Sequence, residues 1–304
     1  METIEARLSW VSSERLLLGE SPVWDTRDGA LYGVDVVAPA VFRLAGGVIT
    51  RYPFARPVAS VFLSDPGHLL VATRQALVDL HLATGVQAPT GLASPPSAQE
   101  RFNDGRCDSQ GRLWISTMDR HLEHEIGSIV VVDPLHGSTS FATGAKLGNG
   151  VCFSPDGRWV YFSNTAKRCI VRYASNTLQE PEVRAQPFAQ LDEAPGRPDG
   201  CSVDAEGCLW SARVGGGRID RYSPDGKLIG VLKVPVSHPT HCTFGGPELR
   251  TLFVTTSRYP ESSKEFLAQP MAGAVLAFDV GVQGLPEPRF QASTSGVPAP
   301  SAQR

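Results

Sequence analysis

The sequence has no long hydrophobic run among its 304 residues. A transmembrane helix needs about 18 consecutive apolar residues, so we expect no membrane span and no membrane partner. The opening segment, METIEARLSW, carries acidic side chains and lacks the apolar centre of a secretory signal. These absences predict a cytoplasmic protein.

Paired metal-binding or redox cysteines are also missing. None of the six cysteines stands in a Cys-x-x-Cys pair or in the spacing of a zinc site. They are Cys107, Cys152, Cys169, Cys201, Cys208 and Cys242. We interpret them as buried, reduced thiols, and the sequence leaves a disulfide open as the alternative.

Strong charge and long helices are absent as well. Charged residues make up 19% of the chain and the net charge is −3, which gives no reason to expect nucleic acid as a partner. No helical periodicity continues beyond two turns, and only residues 262–273 allow one short turn of helix before Pro270. A Gly-x-Ser-x-Gly nucleophile motif is missing, so a serine hydrolase mechanism is not expected.

What the chain does contain is a repeat. Six times an apolar residue precedes a turn rich in Gly, Asp or Pro, and a strand with an apolar or aromatic start follows. The residues before the turns are Trp24, Phe62, Cys107, Phe153, Val203 and Phe244. Their spacings of 38, 45, 46, 50 and 41 residues are typical of β-propeller blades. We therefore predict an all-β, six-bladed β-propeller, with four-stranded antiparallel blades around a central channel.

The repeat occupies residues 1–286, which we predict to form a single propeller domain. One strand from the first 20 residues is expected to pair with the C-terminal blade and close the ring, since closure removes exposed sheet edges. Residues 287–304 lack an apolar pattern, and we expect them to form a flexible C-terminal tail.

Four polar residues stand where innermost strands begin, at positions that structural packing does not explain. They are Glu20, Asn103, Asn149 and Asp199, from blades one, three, four and five. In a propeller these strand entries meet at one mouth of the channel. Two carboxylates that converge there with amide oxygens repel each other unless a cation lies between them, and oxygen ligands favour a hard divalent ion. The alternative is that Asn149 and Asp199 only stabilise Asn-Gly and Asp-Gly turns.

Several long segments resemble one protein family. LGESPVWDTRDGALYGVD, RFNDGRCDSQGRLWISTMD, LGNGVCFSPDGRWVYFSN and PDGCSVDAEG are similar, in this order, to the senescence marker protein/gluconolactonase family of regucalcin-like sugar lactonases. The resemblance covers roughly residues 16–285. It implies a six-bladed propeller, one divalent cation in the channel, and hydrolysis of sugar lactones.

The same resemblance implies roles for individual residues. Glu20, Asn149 and Asp199 match the family's metal ligands, and Asp199 also matches its proposed general base. Arg101 and Asn103 match residues that hold the sugar hydroxyl groups. One departure is Ser21, which replaces the usual glycine after the first ligand.

Histidines offer weaker signals. His121 lies in the loop after Met118, where the family often has acidic residues, and it is a candidate for contact with the substrate. A solvated loop histidine is the alternative. His238 and His241 are spaced i, i+3 on an extended segment, so they face different sides and make a poor metal pair. The sequence leaves open whether one of them reaches the channel.

The expected function is therefore the divalent-metal-dependent opening of a sugar (aldono-) lactone to its sugar acid. The ion could be Ca²⁺, Mg²⁺, Mn²⁺, Zn²⁺ or Fe²⁺, because oxygen ligands discriminate weakly among hard ions. Two alternatives keep the cation: a regulatory propeller without significant turnover, and a hydrolase of another ester or a phosphoester. A protein-interaction propeller is disfavoured, since the Trp-Asp pattern of WD repeats does not recur from blade to blade.

Overall fold

Six antiparallel sheets form a closed ring in the computed structural model, which describes residues 2–177, 183–260 and 262–291. The chain begins with β1 (Glu2–Thr3) and β2 (Arg7–Val11). Blade 1 follows with β3 (Gly19–Asp25), β4 (Ala30–Asp35), β5 (Ala40–Ala45) and β6 (Val48–Pro53). Blade 2 contains β7 (Val58–Leu63), β8 (His68–Thr73), β9 (Leu77–His81) and β10 (Gln87–Pro89).

The next two blades repeat this order. Blade 3 contains β11 (Glu100–Cys107), β12 (Leu113–Asp119), β13 (Gly127–Asp133) and β14 (Gly137–Ala145). Blade 4 contains β15 (Gly148–Phe153), β16 (Trp159–Asn164), β17 (Cys169–Ala174) and β18 (Gln186–Gln190).

The last two blades follow the same order, with a short helical turn added in blade 6. Blade 5 contains β19 (Arg197–Val203), β20 (Leu209–Val214), β21 (Arg218–Tyr222) and β22 (Leu228–Lys233). Blade 6 contains β23 (Pro239–Gly245), β24 (Thr251–Thr256) and β25 (Leu276–Asp279), and a single helical turn, α1 (Lys264–Leu267), lies between the last two. This turn falls inside the segment where the sequence allowed one. The described helix is far too short and polar to cross a membrane.

The ring is closed by the N-terminal strand β2. It pairs antiparallel with β25 and becomes the outermost strand of blade 6, as the sequence predicted. The innermost strands β3, β7, β11, β15, β19 and β23 contact their neighbours in this order, and β23 contacts β3 again. The predicted six-bladed β-propeller is thereby confirmed. The short strand β1, which the sequence did not indicate, pairs in parallel with β22 and adds a fifth strand to blade 5.

Apolar side chains hold neighbouring blades together. Six buried clusters occupy the six interfaces between blades. Between blades 2 and 3, for example, Phe62 and Phe102 are almost fully buried against Ile115. Burial of one such aromatic side chain contributes about 2–3 kcal/mol. The described cysteines are free thiols and all but Cys169 are buried.

Residues 283–291 cross the end of the ring where the innermost strands finish. The N–H of Ala205 donates to the carbonyl of Gln283, and the N–H of Phe290 donates to the carbonyl of Leu63. Phe290 is 2% exposed and packs into the cluster between blades 2 and 3. The expectation of a flexible tail from residue 287 is therefore wrong for residues 287–291, while residues 292–304 lie outside the described part. The sequence did not indicate this order because the residues that bind the segment, Ala205 and Leu63, are distant from it in the chain.

Candidate channel site

Every innermost strand carries a β-bulge near its start. In blades 1, 3, 4 and 5 the register shifts so that two residues of the inner strand face one residue of the next strand. The pairs of bulged residues are Ser21–Pro22, Asn103–Asp104, Gly150–Val151 and Asp199–Gly200. A bulge interrupts the alternation of side chains and redirects them. The four residues selected from the sequence, Glu20, Asn103, Asn149 and Asp199, all lie in or beside these bulges.

Glycines allow two of these bulges to form. Gly150 has a φ of +59°, and a Cβ there would lie 2.2 Å from Oγ of Ser163. A Cβ on Gly200 would lie 2.0 Å from the ring of His241. The Asn-Gly and Asp-Gly pairs therefore serve close packing in the channel, in addition to the turn geometry that the sequence alone would suggest.

Negative charge is concentrated in this part of the channel. Burial, together with the charges of Asp199 and Asp104, raises the pKa of Glu20 well above its ordinary value. Burial and the charge of Asp104 likewise raise the pKa of Asp199. The positive charge of Arg101 opposes the shift only at Glu20, where it is the smallest influence. Two carboxylates whose ionised forms are disfavoured in this way fit a site for a divalent cation, which would supply the missing positive charge.

Asn149 is held by its amide. Its Nδ2 donates to Oγ1 of Thr165 at 3.0 Å, and Thr165 in turn donates to the carbonyl of Pro198 at 2.8 Å. Its Oδ1 accepts from Nδ2 of Asn103. An amide oxygen has two lone pairs, so Oδ1 keeps one acceptor position for a cation. Thr165 was not selected from the sequence, and its position after β16 gave no local signal.

Asn103 and Arg101 lie side by side at this mouth. Nη1 of Arg101 donates to Oδ1 of Asn103 at 3.2 Å and to the carbonyl of Phe102 at 3.0 Å. Nδ2 of Asn103 also donates to the carbonyl of Gly148 at 2.9 Å. The structure therefore brings Arg101, Asn103 and Asn149 into one hydrogen-bonded group, in which Asn103 orients Asn149.

Asp104 and His241 are further channel residues that the sequence reasoning did not select as site residues. Nε2 of His241 lies 3.3 Å from Oδ1 of Asp104, and both side chains are buried. Oδ2 of Asp104 accepts from the N–H of Gly150 at 2.7 Å. Burial would raise the pKa of Asp104, but His241 and Arg106 outweigh it and lower that pKa. A usable signal existed for both: Asp104 follows Asn103 in the same bulge, and His241 is the third residue of an innermost strand, as Asp199 is.

His121 has no hydrogen bond or ion pair with this group in the described part of the chain. It is exposed in the loop between β12 and β13, and its N–H donates to Oδ1 of Asp119 at 3.3 Å. The loop is on the same side of the ring as Arg101, because Arg101 pairs with Met118 at the end of β12. Within the described residues, the side chain of His121 has no hydrogen bond or ion pair.

A second group of possible metal ligands lies at the opposite end of the ring. Asp204, Glu206 and Cys208 bring ligand atoms within 4.8 Å of one another. A guanidinium already neutralises this group, since Nη2 of Arg221 lies 2.6 Å from both carboxylates. Oδ2 of Asp204 also accepts from Nε1 of Trp210 at 2.8 Å. We interpret this group as structural.

The match to a known family decides the identity. Residues 18–258 match the SMP-30/Gluconolactonase/LRE-like region. The chain belongs to this family. Its relatives include a protein named 6-deoxy-6-sulfogluconolactonase from Pseudomonas putida, 36% identical, with 93% of this chain and 98% of that protein covered. Another is named L-arabinolactonase, from Azospirillum brasilense, 32% identical, with 94% of this chain and 96% of that protein covered.

A solved structure has the same fold. It is a calcium-binding protein, regucalcin, from Agrobacterium tumefaciens strain C58. Its TM-score is 0.86 at 30% identity, with 95% of this chain and 98% of that chain covered. The family resemblance stated from the sequence motifs is thus confirmed.

Proposed function

We propose that this protein hydrolyses sugar lactones with the help of one divalent cation held by Glu20, Asn149 and Asp199. The observation that carries the proposal is the placement of two carboxylates, Glu20 and Asp199, in or beside corresponding β-bulges at one mouth of the channel. Burial and neighbouring negative charge raise the pKa of both, which supports a cation there. The amide of Asn149, held by Thr165, adds a neutral oxygen from the strand β15, which carries a corresponding bulge. Carboxylate and amide oxygens suit a hard divalent ion such as Ca²⁺ or Mg²⁺.

The reaction opens a cyclic ester, and different residues of the chain can perform its separate steps. A bound divalent cation would supply polarisation of the carbonyl and a lower pKa for water. Asp199 accepts the proton of the attacking water as general base, and then holds it for the departing ring oxygen. Arg101 offers its remaining N–H groups to the hydroxyl groups of the substrate, because a guanidinium is a rigid multiple donor. Asn103 keeps Asn149 oriented.

The names of the relatives support an aldonolactone as substrate. One relative is named for a sulfonated gluconolactone and the other for an arabinolactone. These differ in chain length and in charge at the far end of the molecule. We therefore propose the aldonolactones as the substrate class.

The test is lactone opening followed with a pH indicator. Metal-stripped protein is compared with protein supplied with Ca²⁺, Mg²⁺, Mn²⁺, Zn²⁺ or Fe²⁺, over five- and six-carbon aldonolactones, with spontaneous hydrolysis subtracted. We expect turnover only when a divalent ion is present. No turnover above background with any ion, in a protein that still binds the ion, would instead support the cation-binding regulatory role.

Two variants separate the roles of the carboxylates. Asp199→Asn should keep the fold and lose about 100-fold or more in kcat, since a general base contributes about 10²–10⁴-fold. Glu20→Gln should mainly weaken cation affinity. Asp225→Asn, in an exposed turn at the other end of the ring, is the control for a lost carboxylate. Full activity in Asp199→Asn would remove Asp199 from the mechanism.

A further inference from the structure

A second arginine lies beside Arg101 at the mouth of the channel. Arg74 is in the loop between β8 and β9, on the side of the ring where the innermost strands begin, since Thr73 pairs with Val58 at the start of β7. The carbonyl of Arg74 accepts from the N–H of Phe102 at 3.0 Å. Nε2 of Gln75 donates to the carbonyl of Glu100 at 3.0 Å. These two hydrogen bonds fix the loop of blade 2 against the strand that carries Arg101.

The two guanidinium groups are close enough to influence each other. Burial, followed by the positive charge of Arg74, lowers the pKa of Arg101 to about 10. The opposing influence comes from Glu20. Arg101 is therefore influenced both by Glu20, a carboxylate of the proposed cation site, and by Arg74.

Neither arginine forms an ion pair in the part of the chain that the structure describes. Within residues 2–177, 183–260 and 262–291, no carboxylate lies within 4.0 Å of a nitrogen of Arg74 or Arg101. The carboxylate nearest in sequence, Glu100, is turned away, since it accepts from Oγ of Ser97 at 3.1 Å and from Oγ1 of Thr117. Arg74 is exposed and has no side-chain hydrogen bond in the described part. Two neighbouring arginines without a paired acid leave a local excess of positive charge, which would attract an anion.

We propose that Arg74, with Arg101, forms a subsite for an anionic group at the far end of an aldonolactone, such as a terminal sulfonate or phosphate. This inference rests on the proposed function. In the proposed arrangement the carbonyl of the lactone would lie at Glu20 and Asp199, its hydroxyl groups at Arg101, and its far end at Arg74. A guanidinium suits this role because its planar set of donors matches the oxygens of a sulfonate or phosphate. Arg74 is then a specificity-determining residue that does not touch the reacting atoms.

The experiment compares the anionic lactones 6-deoxy-6-sulfogluconolactone and 6-phosphogluconolactone with neutral gluconolactone, using the wild type loaded with its activating ion. The measured quantity is the ratio of kcat/KM between an anionic and the neutral lactone. We expect a ratio above one that falls about tenfold in Arg74→Gln, as a charge-assisted hydrogen bond would give, chiefly through KM. Arg74→Lys keeps the positive charge and should retain part of the preference for the anionic lactone. The lactone with the larger ratio identifies sulfonate or phosphate as the group recognised.

Arg158→Gln is the matched control, because it removes the same charge from a side chain that is 78% exposed at the other end of the ring. It should leave the ratio unchanged. Equal kcat/KM for anionic and neutral lactones in the wild type, or an unchanged ratio in Arg74→Gln, overturns the subsite while the lactonase assignment stands.

Calorimetry with the ring-opened acids separates failure of the subsite from failure of the proposed function. Protein loaded with Ca²⁺ is titrated with 6-phosphogluconate, with 6-deoxy-6-sulfogluconate and with gluconate. If no lactone is opened but one of the two anionic sugar acids binds more tightly than gluconate, and loses this advantage in Arg74→Gln, the anion subsite stands and the lactonase proposal fails. Equal binding of all three acids overturns the subsite.

Discussion

Nε2 of His241 lies 3.3 Å from Oδ1 of Asp104, and the His241 ring packs directly on Gly200, the neighbour of Asp199. Nδ1 of the same ring lies 3.0 Å from the carbonyl oxygen of Cys242. The imidazole thus connects a buried carboxylate in blade 3 with the bulge in blade 5 that presents Asp199. Through this contact, a residue from blade 6 fixes the position of the proposed catalytic carboxylate.

Replacement of His241 should therefore affect stability and cation binding together. His241→Ala leaves Asp104 buried without its partner and opens a cavity beside Gly200, which should cost about 3 kcal/mol of unfolding free energy. His241→Gln keeps a nitrogen donor and should retain more stability and more cation affinity. Urea denaturation and calcium titration measure both. Identical losses in the two variants would show that the contact with Asp104 contributes nothing.

Ser21 offers a test of backbone strain at the first proposed ligand. It is buried with a φ of +48°, and its Oγ accepts from the N–H of Val61 at 3.1 Å. Ser21→Ala keeps the unfavourable φ and leaves the N–H of Val61 unpaired. Ser21→Gly also loses the hydrogen bond but relieves the strain, which is about 1–2 kcal/mol for a left-handed residue. Ser21→Gly should thus be more stable than Ser21→Ala by about 1 kcal/mol, and the reverse order in urea denaturation would contradict this account.

Asp25 makes stability depend on acid pH. Burial opposes its ionisation, but hydrogen bonds from Arg289 and Arg27 outweigh burial and lower the pKa of Asp25 to about 2. Since the ordinary value is 3.8, the ionised carboxylate contributes its full stability above about pH 4 and loses it as the pH falls toward 2. The contribution should be about 1–2 kcal/mol after solvent screening.

Asp25→Asn should accordingly be less stable than the wild type at pH 6, and the difference should shrink between pH 4 and pH 2. Chemical denaturation at several pH values measures this. The exposed Asp225→Asn variant serves as control. A difference between Asp25→Asn and the wild type that stays constant down to pH 2 would contradict the assigned pairing with Arg289.

Phe290 tests whether residues 283–291 stabilise the ring. Its side chain is 2% exposed, whereas that of Leu285 is 37% exposed. Phe290→Ala should cost about 3–4 kcal/mol, as for other buried aromatic residues, and Leu285→Ala less than about 1 kcal/mol. Thermal and urea denaturation compare the two. A Phe290→Ala variant as stable as the wild type would restore the flexible tail that the sequence suggested.

Local signals in the sequence were enough to predict the number of blades and the positions where the innermost strands begin. Strand starts and turn residues recur around Trp24, Phe62 and Cys107, so the number of blades can be counted without tertiary information. Equivalent strand entries also place Glu20, Asn149 and Asp199 near one another. Gly150 and Gly200 mark the bulges beside Asn149 and Asp199, whereas the bulge beside Glu20 contains Ser21 and Pro22 and has no glycine to indicate it.

Contacts between distant parts of the chain could not be read in this way. Glu287 lies 3.3 Å from Arg106, and Arg289 pairs with Asp25 across 264 positions of sequence. Before the fold is known, two charged residues in a Pro-rich segment indicate a solvated tail. The same holds for Arg74, whose significance comes only from its place beside Arg101.

The proposed cation site is tested directly by an anomalous difference map from crystals grown with Ca²⁺, recorded at long wavelength. We predict one peak in the channel, with oxygens of Glu20, Asn149 and Asp199 at about 2.3–2.6 Å from it. A peak at Asp204 and Glu206 instead, or no peak beside Asp199 in protein that binds Ca²⁺ in solution, would contradict it.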